Sequence, residues 1–493
     1  MDVIVGIAKF IVNNVLNQPA YLVGIITAIG LLALRRSVGQ VIGGGLKAAM
    51  GFLILGVGAS TVVGSLEPLG KLILGATGAR GVVPTNEAVV ALAQKQFGAQ
   101  VAWVMIAGFI VSILLARFTP LKYVFLTGHH TFFMATLITA LLATADLSAF
   151  WMIAVGAALL GTMMVVMPTF THPWTRRVTG GEDVAIGHFG SIGYITAGTV
   201  GRLVGKRSKS TEDMKFPDGL KFLRDSMIAT ALSMVLIYTV FALAMLGRVG
   251  RTEAFAVMEA TTLGDYVMAG VMQALLFGVG VAVILFGVRT ILGELVPAFN
   301  GIAAKVVPGA LPALDCPVTF PYAPNAVLIG FISSFTGGLA SLGFLMAFNG
   351  PMGLALILPG MVPHFFTGGT AGVFGNATGG RRGAIAGGFV NGVIITFLPA
   401  LLLKVLGSLG LANTTFGDAD FGWFGLSVGH AVTLGPAGGM LVIALIVLVL
   451  LGSAIAFQRL VVSRGWNPGA PRDTYFAGAG DEDADPKSVA VGS

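Results

Sequence analysis

Apolar runs follow one another along this chain, separated by short polar or glycine-proline interruptions. Eleven of them cover residues 19–34, 41–66, 101–118, 123–143, 150–166, 227–246, 266–299, 326–348, 353–366, 384–406 and 440–457. Most are long enough to cross a hydrocarbon layer as a helix, which takes about 20 residues. The pattern fails in two places. Between residues 78 and 97, Gly81, Pro84 and the polar triplet Thr85-Asn86-Glu87 precede a helix over 88–97 that is too short and too polar to span alone. Around Ala313-Leu314-Asp315-Cys316-Pro317, four prolines (Pro312, Pro317, Pro321 and Pro324) remove backbone donors and break any helix. Irregular backbone at membrane depth survives only where protein or a water-filled cavity covers it. Both breaks therefore read as re-entrant hairpins at a substrate site. A glycine-rich broken stretch over 368–380 precedes Arg381-Arg382, and Ile186-Gly187-His188-Phe189-Gly190 is short of a full span.

Composition agrees with the pattern and narrows it. The 493 residues are 55% hydrophobic and only 10% charged, against about 25% charged in soluble domains. The fold class expected is an all-α integral membrane protein of about eleven transmembrane helices; a barrel would show short alternating segments instead. The 71 glycines suit close helix packing. A net charge of +7 would suggest nucleic acid in a soluble protein, but here basic residues in short loops orient the helices. Arg35-Arg36 after the first run, Arg459 and Arg464 after the last, and a loop over 202–224 with seven Lys or Arg against three acidic residues all favour the cytoplasm. That places the N-terminus outside and the C-terminus inside. Residues 1–17 read as an amphipathic lead-in, with no removable signal peptide expected. The tail over 466–493, with Asp481-Glu482-Asp483-Ala484-Asp485, reads as disordered. The lone cysteine, Cys316, excludes an internal disulfide and a cysteine-based metal cluster.

An internal repeat is also legible. Gly64-Ser65-Leu66-Glu67-Pro68 and Gly293-Glu294-Leu295-Val296-Pro297 match at an offset of 229, which carries Asn86 onto Asp315. His129-His130-Thr131-Phe132-Phe133 faces Pro363-His364-Phe365-Phe366 at a nearby offset. With an odd number of spans per half the copies are inverted, and such repeats put the substrate site near the midplane where the broken segments meet.

Leu126-Thr127-Gly128-His129, Ile186-Gly187-His188, Ala298-Phe299-Asn300-Gly301-Ile302, Asp315-Cys316 with Ala323-Pro324-Asn325-Ala326-Val327, and Gly372-Val373-Phe374 together resemble the ascorbate-specific membrane component (enzyme IIC) of the bacterial phosphoenolpyruvate-dependent sugar phosphotransferase system. The similarity runs in consistent order over about residues 15–460. It implies a homodimer in the bacterial inner membrane, each protomer having a dimerising scaffold (1–78 and 225–300), a mobile substrate-binding core (79–224 and 301–407) and a last transmembrane helix (435–458). It implies import of L-ascorbate or a related sugar acid by rigid elevator-type movement of the core. Phosphorylation would come from a separate cytoplasmic IIB protein bearing a phosphocysteine, itself recharged by a IIA protein. The substrate pocket implied holds Thr85, Asn86, His129, His188 and Asp315. The family pattern has glutamine-type side chains around Phe133 and Phe189 and a tyrosine where Asn86 stands.

The residues permit two readings each. Asp315 either accepts substrate hydroxyls and removes a proton as a hydroxyl attacks phosphorus, or caps the hairpin through free backbone N–H groups. His129 and His188 either donate to an enediol oxygen or bridge helices. Thr85 and Asn86 form a polar tip or cap a helix. Arg289 and Glu294, inside one long run, read as an interhelical or interfacial pair. No carboxylate or second histidine stands at helical ligand spacing beside the histidines, so neither a metal nor a cofactor is expected. No phosphate-cradling Walker-type loop is present, which argues against an ATP-driven pump. The rival to group translocation is a proton- or cation-coupled secondary transporter that releases its substrate unmodified.

Overall fold

The computed structural model describes residues 19–469 apart from 146, 182, 206–207, 215–225 and 407–412. The lead-in expected over 1–17, nearly all of the acidic tail and much of the basic loop lie outside the described residues. The protein is mostly helical, and eight helices among the described residues are long and apolar enough to cross a membrane.

The chain opens with α1 (Pro19–Ala33) and α2 (Val38–Thr77). Ser37 and Gln40 cap α2 reciprocally, each side chain accepting the other's backbone N–H at 3.4 and 3.2 Å. Gly78, at φ 76°, ends it by returning its N–H to the Leu74 carbonyl. After β1 (Gly81–Pro84), α3 (Asn86–Phe118) runs as one helix. The short polar helix and the separate span expected here are thus continuous. No proline divides them, and Gln94 is accommodated in the interior by donating to Thr136 Oγ1 at 3.2 Å.

The run expected as a span over 123–143 is instead β2 (Tyr123–Phe125) and α4 (Gly128–Leu142). Then come α5 (Ala149–Thr179), β3 (Ala185–Ile186) and α6 (Ser191–Val204), followed by α7 (Ser226–Val249), α8 (Arg251–Val257) and the long α9 (Leu263–Val306). The proline-rich break becomes β4 (Leu311–Leu314) and a tight helical turn over Cys316–Tyr322, and α10 (Pro324–Met352) starts on Pro324. The run expected as a span over 353–366 is also broken: β5 (Leu356–Ile357) precedes a wide turn over His364–Gly368, because Pro359, Gly360 and Pro363 interrupt any helix.

Next, α11 (Gly369–Leu402) reverses on itself where Gly379 and Gly380 leave helical geometry. Its two limbs pack closely, a Cβ on Gly375 being set to strike the Gly383 carbonyl, and Asn391 Nδ2 of the second limb donates to Thr367 Oγ1 of the preceding turn at 3.0 Å. The glycine-rich stretch is therefore a hinge between two packed limbs and is irregular only at its end. β6 (Thr414–Thr415), α12 (Ala419–Val432) and α13 (Gly435–Phe457) complete the chain.

The all-α expectation holds for every long element, but the broken segments are strands. They form two three-stranded parallel sheets, ordered β5-β1-β6 and β2-β4-β3. Registers pair Gly81 with Leu356 and Val83 with Thr414 in one, and Tyr123 with Leu311 and Ala185 with Ala313 in the other. Each pairing satisfies backbone groups that no lipid can, and parallel strands need cover on both faces. Every residue of β1, β2, β3, β5 and β6 is buried. Gly187 lies so close to Ala313 that a side chain there would strike its carbonyl, while its N–H donates to Leu314 O at 2.6 Å.

Around the sheets, α2 and α9 approach through small residues: a Cβ on Gly51 would sit 2.8 Å from the Gly287 carbonyl. Lys47 on α2 pairs with Glu294 on α9 at 2.9 Å. Glu294 thus stands in an interhelical pair of the kind expected, with Lys47 as its partner, and Arg289 lines a cavity instead.

Candidate functional site

Parallel pairing puts the C-terminal ends of β2, β3 and β4 side by side, and each leads straight into a polar residue. Thr127-Gly128-His129 follows β2, Gly187-His188 follows β3, and Asp315 follows β4. His129 Nε2 lies 3.3 Å from Asp315 Oδ2, and His188 Nε2 lies 3.9 Å from Asp315 Oδ1. Asp315 does meet its capping role, since Oδ1 accepts the Cys316 N–H at 2.8 Å. Its carboxylate also faces both histidines. The side chains of Asp315 and His129 are about one-third exposed, whereas that of His188 is nearly closed over, at 36%, 33% and 3%.

His188 is held from behind by the Tyr194 hydroxyl, 2.8 Å from Nδ1. A Tyr194 that donates to Nδ1 leaves the ring proton on Nε2, facing Asp315 across a gap too long for a direct hydrogen bond. His130, buried beside it with ring centroids 3.6 Å apart, stacks parallel to Phe421 at 5.8 Å. Asp420 fixes this wall from another helix. Its two oxygens accept the Ser191 and Ile192 N–H groups of α6 at 2.7 and 3.1 Å, and Trp423 Nε1 donates to it at 3.0 Å. Ser191 Oγ in turn donates to the His188 carbonyl at 3.0 Å. Removing this shared cap by Asp420→Ala is expected to destabilise the protein by ~2 kcal/mol. The expected readout is a lower thermal midpoint of detergent-purified protein, and an unchanged midpoint would deny the cap any weight.

Further lining comes from the ends of the other sheet. Asn86, at the start of α3, accepts the Gly417 N–H at 2.8 Å and donates to Asp418 Oδ2 at 2.7 Å. Its amide tethers the turn between β6 and α12. Thr85 stands at the N-cap position of α3 without a side-chain cap bond, and its N–H goes to Thr415 O at 2.9 Å. It does not line the cavity itself. That cavity, about 670 Å³, is lined by His129, His130, His188 and Asp315, by Asn86, Glu87 and Asp418, and by Leu285, Val288 and Arg289 of α9. Such a volume suits a small-molecule ligand. Phe133 also lines it, edge-on to His129 with centroids 5.7 Å apart, whereas Phe189 is turned away and stacks on Phe125 at 4.9 Å.

His129, His188 and Asp315, the outer two 186 residues apart in sequence, are thus brought together. Glu87, His130, Arg289 and Asp418 join them without having been singled out for the pocket. Asp418 had a signal: Gly417-Asp418-Ala419-Asp420 places two carboxylates among apolar residues, where an ionisable group usually has a functional reason. The histidines also acquire partners that sequence spacing concealed. Three sets of ligand atoms lie within 4.8 Å of one another: His129-His130-Asp315, His130-His188-Asp418 and His188-Asp315-Cys316. These are the residues able to hold a metal ion.

Apolar helices closed around a polar, ligand-sized cavity at the ends of broken segments define a multi-pass membrane permease. The sequence pattern of the EIIC-GAT family, described as PTS system sugar-specific permease component, matches residues 14–420, and the chain belongs to that family. It is 27% identical over 438 residues to the Ascorbate-specific PTS system EIIC component of Mycoplasma pneumoniae, an alignment covering 79% of this chain and 66% of that protein. The chain thus matches just under two thirds of the relative's length.

Proposed function

We propose that the protein is the membrane permease of a phosphotransferase system, importing L-ascorbate or a related sugar acid that a separate IIB protein phosphorylates. The observation that carries this reading is the meeting of His129, His188 and Asp315 on the cavity wall, two imidazoles and one carboxylate converging where a polyhydroxy ligand would bind. In this reading His129 and His188 donate to enediol oxygens, and Asp315 accepts a hydroxyl proton as phosphorus is attacked. Asn86 contributes through its grip on Asp418, and Thr85 from behind the wall.

The rest of the reading is a homodimer in the bacterial inner membrane, N-terminus outside, eleven helices per protomer, with the core riding past the scaffold as a rigid body. The spacing and order of the strands support an inverted repeat and, with it, this division. β4 begins 230 residues after β1, β5 233 after β2 and β6 229 after β3, and each sheet takes its central strand from one half and its flanking strands from the other. In that correspondence Thr85, and not Asn86, stands where Asp315 does.

One observation favours the second reading, proton- or cation-coupled transport of unmodified substrate. Glu87 and Asp418 are buried carboxylates on the cavity wall, and among the described residues Glu87 Oε2 has no hydrogen-bond partner. Uptake of labelled ascorbate by cells with and without the IIB partner separates the two. Intracellular label is expected only with IIB, and only as the phosphate ester. Accumulation of unmodified ascorbate without IIB would overturn group translocation in favour of the second reading.

A further inference from the structure

Arg289 stands out among the cavity's residues because nothing in the phosphoryl chemistry calls for it. It lies inside an apolar membrane-spanning helix, where a permanent charge is costly and has a reason to be kept. Leu285, Val288, Arg289 and Gly293 share one face of α9 at helical spacing, and that face forms a wall of the cavity. Glu294, the nearby carboxylate on the same helix, is engaged by Lys47 at 2.9 Å. Among the described residues no carboxylate stands within 4.0 Å of Arg289.

The charges around the cavity show what the guanidinium could be for. Asp315, Glu87 and Asp418 line it, and among the described residues Arg289 is the one Lys or Arg that does. Each of these carboxylates repels an anion when it is ionised, and the histidines counter them only when protonated. A neutral polyol would meet no such obstacle, since carboxylates accept hydroxyl hydrogen bonds well. A sugar acid or enediolate needs a permanent positive partner, and a planar fork of N–H donors matches two adjacent oxygens sharing one charge.

Resting on the permease reading above, we propose that Arg289 is the charge-selecting residue of the substrate site, holding the negative charge of an anionic sugar derivative in the cavity that it lines together with His129 and Asp315. It sets which substrates bind; the proton chemistry stays with Asp315 and the histidines.

The test is equilibrium binding to the purified full-length protein at pH 7, using labelled ascorbate, a hexuronate, and the neutral competitors dehydroascorbate and a six-carbon polyol. For the parent, anions are expected to bind more tightly than neutral competitors. Arg289→Gln is expected to weaken anion binding roughly 10- to 100-fold and to leave neutral competitors within about threefold, so that the selectivity ratio collapses. Arg289→Lys, which keeps the charge and loses the fork, is expected to fall between. It carries the same test should the glutamine variant fail to elute as folded protein. Equal anion affinity in parent and variants would overturn the role of Arg289 while leaving the permease reading intact. A uniform loss across anionic and neutral ligands would reduce Arg289 to a structural residue. A parent that binds neutral polyols and neither anion would overturn both.

Discussion

Asp315→Asn is expected to abolish uptake, by roughly 100-fold or more, in protein that still folds and elutes as the parent does. The separation of the two outcomes follows from the two jobs of this side chain. Oδ1 caps the turn that starts at Cys316, and an asparagine carbonyl can accept the same N–H. Oδ2 faces His129 at 3.3 Å, and His188 stands 3.9 Å from Oδ1. An amide keeps the shape, loses the charge that both imidazoles face, and cannot take a proton from a substrate hydroxyl. Uptake of labelled substrate, read beside the elution profile and thermal midpoint, checks both halves. Normal transport by the variant would remove Asp315 from the mechanism, and an unfolded variant would make the capping role the dominant one.

How much of this site the sequence revealed depended on the length of the signal. Four prolines in thirteen residues announced the break around Asp315, and the structure turns each to use: Pro312 in β4, Pro317 and Pro321 in the turn, Pro324 at the head of α10. Apolar runs marked the long helices because a helix of 20 or 30 residues repeats its pattern many times. The strands repeat nothing. β3, β5 and β6 are two residues each, too short for any alternation to register, and they are specified by partners more than 100 residues away. Hence two expected spans, over 123–143 and 353–366, proved to be strand, turn and helix. Their apolar character reflects burial on all sides and not exposure to lipid.

The interhelical pairing expected of Arg289 and Glu294 is met at Glu294 alone, for a plainer reason. Residues five apart do not share a helix face, so Glu294 turns to Lys47 and Arg289 to the cavity. Asn86 was legible as a polar tip, but its partners Gly417 and Asp418 lie 331 and 332 residues downstream. Only the closing of β6 onto β1 brings them within reach.

That tether sets the second large effect. Asn86→Leu is expected to destabilise the protein by ~3 kcal/mol, because it strands two buried groups at once. The Gly417 N–H loses its acceptor, now 2.8 Å away, and Asp418 loses a donor at 2.7 Å. Both Asn86 and Asp418 are almost wholly closed over, at 6% and 3% exposure, so little water can take the amide's place, and an unpaired buried carboxylate is among the costlier defects a fold can carry. Asn86→Asp fares no better, since it sets two carboxylates against each other at the same distance. Thermal unfolding in detergent measures it: a midpoint lowered by roughly 3 °C is expected for Asn86→Leu, against little change for Asp315→Asn. The contrast tests whether the two tips have divided their labour, Asn86 holding the wall of the cavity and Asp315 facing its contents. A full midpoint paired with lost ascorbate binding in Asn86→Leu would instead make the amide a direct ligand and return Asn86 to the substrate's own contacts.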